Sequence, residues 1–238
     1  MRDQWIDYAD EGVALRGYWV QPDTDGRLPT VVVVHTFRGI TSSIEERARR
    51  LAEAGYAAFA LDVFGPEVRP ADHTTGLETI KPFRQDRAMF RRRLRAGLDV
   101  ARRQPGCEPD RVAAIGYCFG GSGALEMARA GMPLRGVVSL HGELASDMPV
   151  KSGDVVAKVL ALHGDADPIV KAANVSAFQQ EMRDAKADWE FVSYSGAKHS
   201  FTGEGIGTDA DANAAFHPQA EARSWARQAA FLQEVLAQ

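Results

Sequence analysis

Apolar residues recur along this chain in two rhythms: short unbroken runs, and longer stretches with an apolar position every three or four residues. The clearest run is Val31-Val32-Val33-Val34-His35, β-branched and without polar alternation. Such a run suits a central strand covered on both faces, as in a parallel sheet. Ala57 to Leu61, Val112 to Ile115, Val137 to His141, Val159 to His163 and Trp189 to Tyr194 predict further strands. Trp5 to Tyr8 and Leu15 to Val20 predict two short strands joined by a turn at Asp10 to Gly12.

The second rhythm predicts helices between the strands. Ser42 and Glu45 have capping-box spacing, Ile44, Ala48, Leu51 and Ala52 follow at helical intervals, and Gly55 is placed to end the helix. A helix from about Asp86 carries the apolar stripe Phe90, Leu94, Leu98 and Ala101. Ser122 to Ala130, Ala172 to Ala185 and Pro218 to Leu236 predict three more. Residues 62 to 83 hold Pro66, Pro70, Gly76 and Pro82 and predict a long irregular excursion. Strand–helix alternation of this kind implies an α/β fold, a doubly wound, mostly parallel sheet with helices on both faces. With no repeat, low-complexity tract or linker, residues 1–238 are expected to form a single domain. Ligands in such sheets bind beyond the carboxyl ends of the strands.

Composition narrows the function classes. The 238 residues are 45% hydrophobic and 25% charged, with a net charge of -4, so nothing favours nucleic acid or an anionic membrane surface. The arginines in the run from Arg91 to Arg95, with Arg102 and Arg103, fall outside the apolar stripe of their helix and are expected to form a solvated face. No stretch approaches the ~20 apolar residues of a membrane span, and the first residues show no apolar signal core. Two cysteines, Cys107 and Cys118, make no disulfide framework and no zinc site. A cytoplasmic protein without metal or cofactor is expected; oligomeric state is not legible.

The chemistry gathers just after strands. Val112 to Ile115 runs into Gly116-Tyr117-Cys118-Phe119-Gly120-Gly121, followed by a helix-compatible stretch. This is the spacing of a nucleophile elbow, G-x-S-x-G, with cysteine at the centre. A sharp strand-to-helix turn projects the central side chain at the head of a helix, where unpaired N–H groups favour a negatively charged sulfur. A thiol nucleophile needs a proton acceptor and an orienting acid, in the chain order nucleophile, acid, histidine. His199 lies in a glycine-containing loop after the last strand and is the expected base. His141 and His163 close strands and are expected to pack, while His217 is expected to start the final helix. The acid is Asp165 or Asp167; the Gly-x-x-Asp count from Gly164 favours Asp167, with Asp165 capping the turn. Two backbone N–H groups should form an oxyanion hole, one from Phe119 and one from Phe37 in the loop after Val31 to His35.

At these residues the chain resembles the dienelactone hydrolase family of the α/β-hydrolase fold, over nearly its whole length. Gly-Tyr-Cys-Phe-Gly-Gly at 116 to 121, His-Gly-Asp-Ala-Asp-Pro at 163 to 168, His-Ser-Phe at 199 to 201 and Leu-Asp-Val-Phe-Gly at 61 to 65 carry the resemblance. It implies a triad of Cys118, Asp167 and His199, oxyanion amides at Phe37 and Phe119, and a small ester or lactone as substrate. Two positions depart from the family. Members that cleave dienelactones carry a glutamate where this chain has Thr36, and a carboxylate-binding arginine where it has Gly203. Arg38 and Arg84 are the candidates to compensate. The expectation is a cysteine hydrolase broader than strict dienelactone hydrolysis, working through an acyl-enzyme. A true carboxymethylenebutenolidase, a thioesterase or a hydrolase of other activated acyl or phosphoryl esters is the alternative. A thiol redox switch and a catalytically inert binding domain are the competing classes outside hydrolysis. Specificity is expected to reside in loops such as residues 62–84.

Overall fold

A computed structural model describes residues 1–148, 150–203 and 213–237. In chain order the elements are β1 (Arg2–Asp10), β2 (Val13–Gln21), β3 (Leu28–Val34), α1 (Ser42–Glu53), β4 (Ala57–Leu61), α2 (His73–Gln85) and α3 (Arg87–Arg102). β5 (Cys107–Tyr117), α4 (Phe119–Arg129), β6 (Gly136–Leu140), β7 (Lys158–Gly164), α5 (Ala172–Asp184), β8 (Trp189–Tyr194) and α6 (Pro218–Val235) complete the chain.

The strands form one eight-stranded sheet in the order β1-β2-β4-β3-β5-β6-β7-β8. β1 and β2 pair antiparallel, β2 pairs antiparallel with β4, and every pairing from β4 to β8 is parallel. The valine run of β3 explains its central place, because side chains alternate between faces and both faces are dry. Val32 and Val34 join the core under α3, α4 and α5, whereas Val31 and Val33 join the core under α1 and α6. After β3 the chain adds β4 on one side and then β5 on the other. The loops leaving β3 and β5 therefore open side by side at the carboxyl ends, the topological switch point of an α/β sheet.

Three local expectations are corrected. The excursion 62–83 is only half irregular, because α2 occupies its second part. Asp72 caps α2 in a reciprocal capping box with Thr75, and Gly76, Ile80 and Phe83 form its buried stripe. Its first turn, His-Thr-Thr-Gly, has weak helix propensity, so packing decides it. At α1 the cap residue is Thr41 with no side-chain bond, and Glu45 pairs with Arg49 instead of closing a box on Ser42. The arginine face of α3 is not simply solvated. Arg93 is buried on Asp10 (2.9 Å) and the Val63 carbonyl (2.9 Å), and Arg91 meets the buried Glu126 at 2.7 Å. The two carboxylates lie 83 and 35 residues away, beyond the reach of a helical wheel. Arg95 and Arg103 are exposed as expected.

Candidate active site

Cys118 sits between the end of β5 and the first residue of α4, with φ 54° and ψ −115°. A non-glycine residue at positive φ costs on the order of 1–3 kcal/mol and persists only where its surroundings over-determine it. Here the Cys118 amide donates to the Leu140 carbonyl of β6 at 3.0 Å, and its neighbours close in from both sides. A Cβ on Gly116 would lie 1.8 Å from the Gly120 carbonyl oxygen, and one on Gly120 would lie 2.1 Å from the Val34 carbonyl oxygen. The elbow can turn this tightly only because those two positions are glycine. The helix follows immediately, earlier than the expected start at Ser122.

The structure brings Cys118, His199 and Asp167 together from three separate loops. Cys118 Sγ lies 3.2 Å from His199 Nε2, and His199 Nδ1–H donates to Asp167 Oδ2 at 2.8 Å. The other oxygen, Asp167 Oδ1, accepts the amides of Ile169 (2.8 Å) and Val170 (3.1 Å), which holds the carboxylate in place. Burial opposes charge on His199, but the Cys118 sulfur and the Asp167 bond outweigh it and push its pKa up to about 10. Asp167 shows the mirror image: burial pulls its pKa up, and His199 with the two amides holds it below the usual value.

The remaining candidates separate clearly. Asp165 turns away, its Oδ1 accepting from Ser193 Oγ at 3.4 Å. His163 packs beside Phe191. His217 caps α6, accepting the Ala220 amide at 3.2 Å. His141 is buried edge-on to His199, ring centroids 5.4 Å apart, and bonds Thr202 Oγ1 at 2.7 Å. Burial first, and then the neighbouring His199, drives the His141 pKa well below its ordinary value, so it packs as a neutral ring.

Phe119 is the first residue of α4, so its N–H is among those with no acceptor inside the helix. Phe37 lies in a turn closed by the Gly39 amide on the Thr36 carbonyl at 3.2 Å, directly after β3. Two cavities meet at Cys118, and Phe37 and Arg38 line both. One, of about 520 Å³, is mainly apolar and is walled by Leu77 and Ile80 of α2, Phe119 and Ile169. The other, of about 410 Å³, is more polar and holds Thr36, Gly203, Thr202 and Arg47.

Arg47 is a lining residue that the sequence reading missed. Its position between Ile44 and Leu51 on the buried stripe of α1 was the available signal. It donates to the Thr202 carbonyl, faces Glu221 at 3.5 Å and lies over the Tyr117 ring. Of the arginines proposed to compensate for Gly203, Arg84 is paired with Glu143 at 3.2 Å, and Arg38 donates to the Ala71 carbonyl at 2.9 Å. No cluster of three or more metal-ligating side chains occurs among the described residues, and no helix among them is long and apolar enough to cross a membrane.

Comparison with known proteins extends this geometry. A dienelactone hydrolase-like promiscuous phosphotriesterase from metagenomic libraries shares 36% identity, covers 99% of both chains and superposes with a TM-score of 0.94. A Bradyrhizobium protein named "Probable 2-oxo-3-(5-oxofuran-2-ylidene)propanoate lactonase" is 29% identical over 207 residues, 83% of each chain. An α/β-hydrolase enzyme from a deep-sea metagenome library of the Medee basin shares the fold, with a TM-score of 0.69 at 18% identity over 99% of both chains. The model of the dienelactone hydrolase family matches residues 15–236. With that match over most of its length, the chain belongs to the dienelactone hydrolase family and is an α/β-hydrolase acting on ester bonds.

Proposed function

We propose that this single-domain enzyme hydrolyses small esters and lactones through a Cys118 acyl-enzyme, with His199 as proton carrier and Asp167 orienting it. The observation that carries the reading is the continuous line from Asp167 Oδ2 through His199 to Cys118 Sγ, 2.8 Å and 3.2 Å. Cys118 Sγ attacks the carbonyl carbon, and the carbonyl oxygen takes the electron pair as an oxyanion. The N–H groups of Phe37 and Phe119 stabilise that charge, the term that usually dominates acyl transfer. Collapse breaks the C–O bond, His199 Nε2–H protonates the departing alkoxide, and a thioester remains. His199 then takes a proton from water, which attacks the thioester and releases the acid and the sulfur.

Activated phosphoryl esters are the second reading, favoured by 36% identity to a promiscuous phosphotriesterase. A redox-switch role finds no support in the placement of the two free cysteines. Cys107 is the first residue of β5 and Cys118 follows its last, so the two flank the strand at opposite ends, beyond the roughly 7 Å between Cα atoms that a disulfide can bridge. Two unpaired cysteines suit the reducing cytoplasm.

The test is a p-nitrophenyl ester. Wild type should give a burst of product that thiol alkylation abolishes, and Cys118→Ala should lose turnover while keeping its fold. A Cys118→Ala enzyme with more than about 1% of wild-type kcat would rule out the assignment, since removing a nucleophile costs several orders of magnitude.

A further inference from the structure

His35 directly precedes the turn that carries Phe37, and no step above uses it. Its side chain is completely buried. Nδ1 lies 2.7 Å from the Thr36 carbonyl oxygen, and Nε2 lies 3.0 Å from the Val63 amide nitrogen. A carbonyl only accepts and an amide N–H only donates, so the two contacts fix a neutral ring protonated at Nδ1. Burial lowers the His35 pKa more than nearby Asp62 raises it, which favours that neutral form. Val63 is itself anchored, because its carbonyl accepts from the buried Arg93 at 2.9 Å.

The Thr36 carbonyl and the Phe37 N–H belong to one peptide unit. No peptide bond among the described residues is cis, so the two groups point in opposite directions. Holding the carbonyl therefore fixes the direction of the N–H. Two donors hold it, the Gly39 amide at 3.2 Å and, at the shorter distance, His35 Nδ1–H. A bond to the carbonyl also polarises the peptide and strengthens its N–H as a donor. The same ring stacks on Phe119, centroids 6.3 Å apart with 30° between planes. One buried imidazole thus bonds the peptide unit that carries the Phe37 N–H and stacks on the Phe119 ring.

We propose that His35 is a positioning residue of the oxyanion hole: tethered to the Val63 amide, it holds the Thr36 carbonyl so that the Phe37 N–H meets the developing charge. The inference rests on the assignment of the Phe37 and Phe119 amides above. It concerns only steps that build an oxyanion. Alkylation of Cys118 by iodoacetamide is displacement at a saturated carbon and needs no such hole.

That difference supplies the experiment. His35→Phe removes both polar contacts at similar size, and His35→Gln keeps one donor and one acceptor. On p-nitrophenyl acetate, His35→Phe should lower kcat about 30-fold or more with little change in KM, part of the 10²–10³ that a lost oxyanion donor costs. Cys118 alkylation should stay near the wild-type rate, and His35→Gln should recover much of kcat. A near-wild-type kcat in His35→Phe, or alkylation falling in step with kcat, would overturn the proposal.

Phe37→Pro separates this failure from failure of the oxyanion assignment. It deletes the N–H at the second position of a turn, where proline is tolerated, and Phe37→Ala controls for the ring. If Phe37→Pro loses kcat and His35→Phe does not, the hole stands and the His35 role falls. If Phe37→Pro keeps the kcat of Phe37→Ala, both fall. Should His35→Phe not fold, nitrogen-15 spectra of the wild-type enzyme decide: a neutral His35 ring protonated at Nδ1 supports the proposal, and one protonated at Nε2 overturns it.

Discussion

Asp167 Oδ2 receives the Nδ1–H of His199 at 2.8 Å, whereas Asp165, two residues earlier on the same turn, accepts from Ser193 Oγ at 3.4 Å. Only the first carboxylate can orient the imidazole and stabilise its charge. Asp167→Asn should lower kcat/KM by about 10²-fold or more, while Asp165→Asn should stay close to wild type. Steady-state kinetics on one aryl ester decides it, and the reverse ranking would transfer the role to Asp165.

The elevated pKa of His199, about 10, has a direct readout. Burial alone would push it down; the Cys118 sulfur contributes the largest opposing effect, ahead of the Asp167 bond. The wild-type ring should therefore stay protonated through neutral pH, and Cys118→Ala should bring its titration down markedly. Histidine ring spectra against pH measure both. The sign for stability follows from a folded pKa above the ordinary 6.5: the His199 contribution is complete below that value and is lost as pH rises through about 10. A His199 that titrates near its ordinary value in wild type would contradict the protonated resting imidazole.

Substrate charge provides the next test. In the polar cavity the family's arginine position is Gly203, Arg47 is already engaged by the Thr202 carbonyl and Glu221, and Arg84 is held by Glu143 on the apolar side. The apolar cavity offers Phe119, Leu77, Ile80 and Ile169 to a neutral group. Neutral aryl esters should be turned over at least as efficiently as substrates with a free carboxylate beside the scissile bond. Each missing charge-assisted hydrogen bond is worth about 1.5–3 kcal/mol, one to two decades in kcat/KM. Comparing a dienelactone with its methyl ester settles the point. A preference for the acid of about tenfold or more, abolished in Arg38→Ala, would assign the receiver to Arg38 instead.

Stability should be sensitive where α3 meets the β1–β2 hairpin. Arg93 and Asp10 pair at 2.9 Å with side chains 6% and 7% exposed. Removing one partner strands a buried charge, so Asp10→Ala should destabilise the fold by about 3 kcal/mol, measured by urea unfolding. Asp23→Ala is the control, because its pair with Arg2 is solvent-exposed and should leave the midpoint unmoved. Equal effects of the two substitutions would show that burial does not govern these pairs.

Periodicity and local spacing determined much of this protein without any coordinates. Val31 to Val34, Ala57 to Leu61 and Val112 to Ile115 announced three parallel strands as apolar runs, and the stripe Phe90, Leu94, Leu98 and Ala101 is fully buried as its spacing required. Gly116-Tyr117-Cys118-Phe119-Gly120 and the Gly164 to Asp167 count were legible because backbone geometry links those residues over a few positions. Tertiary structure decided whatever depends on residues distant in sequence. It converted His-Thr-Thr-Gly into the first turn of α2, because the stripe Gly76, Ile80 and Phe83 packs against the body of the enzyme. It buried Arg93 and paired Arg91 with a buried glutamate, the two carboxylates coming from β1 and from α4. It set Arg47 in the cavity that Cys118 also lines, and it joined His35 to Val63 across the ends of two parallel strands. Hydrophobic period is a property of one segment, readable from that segment alone. A buried charge or imidazole takes its meaning from the partner that folding places within about 3 Å, and sequence separation carries no record of that.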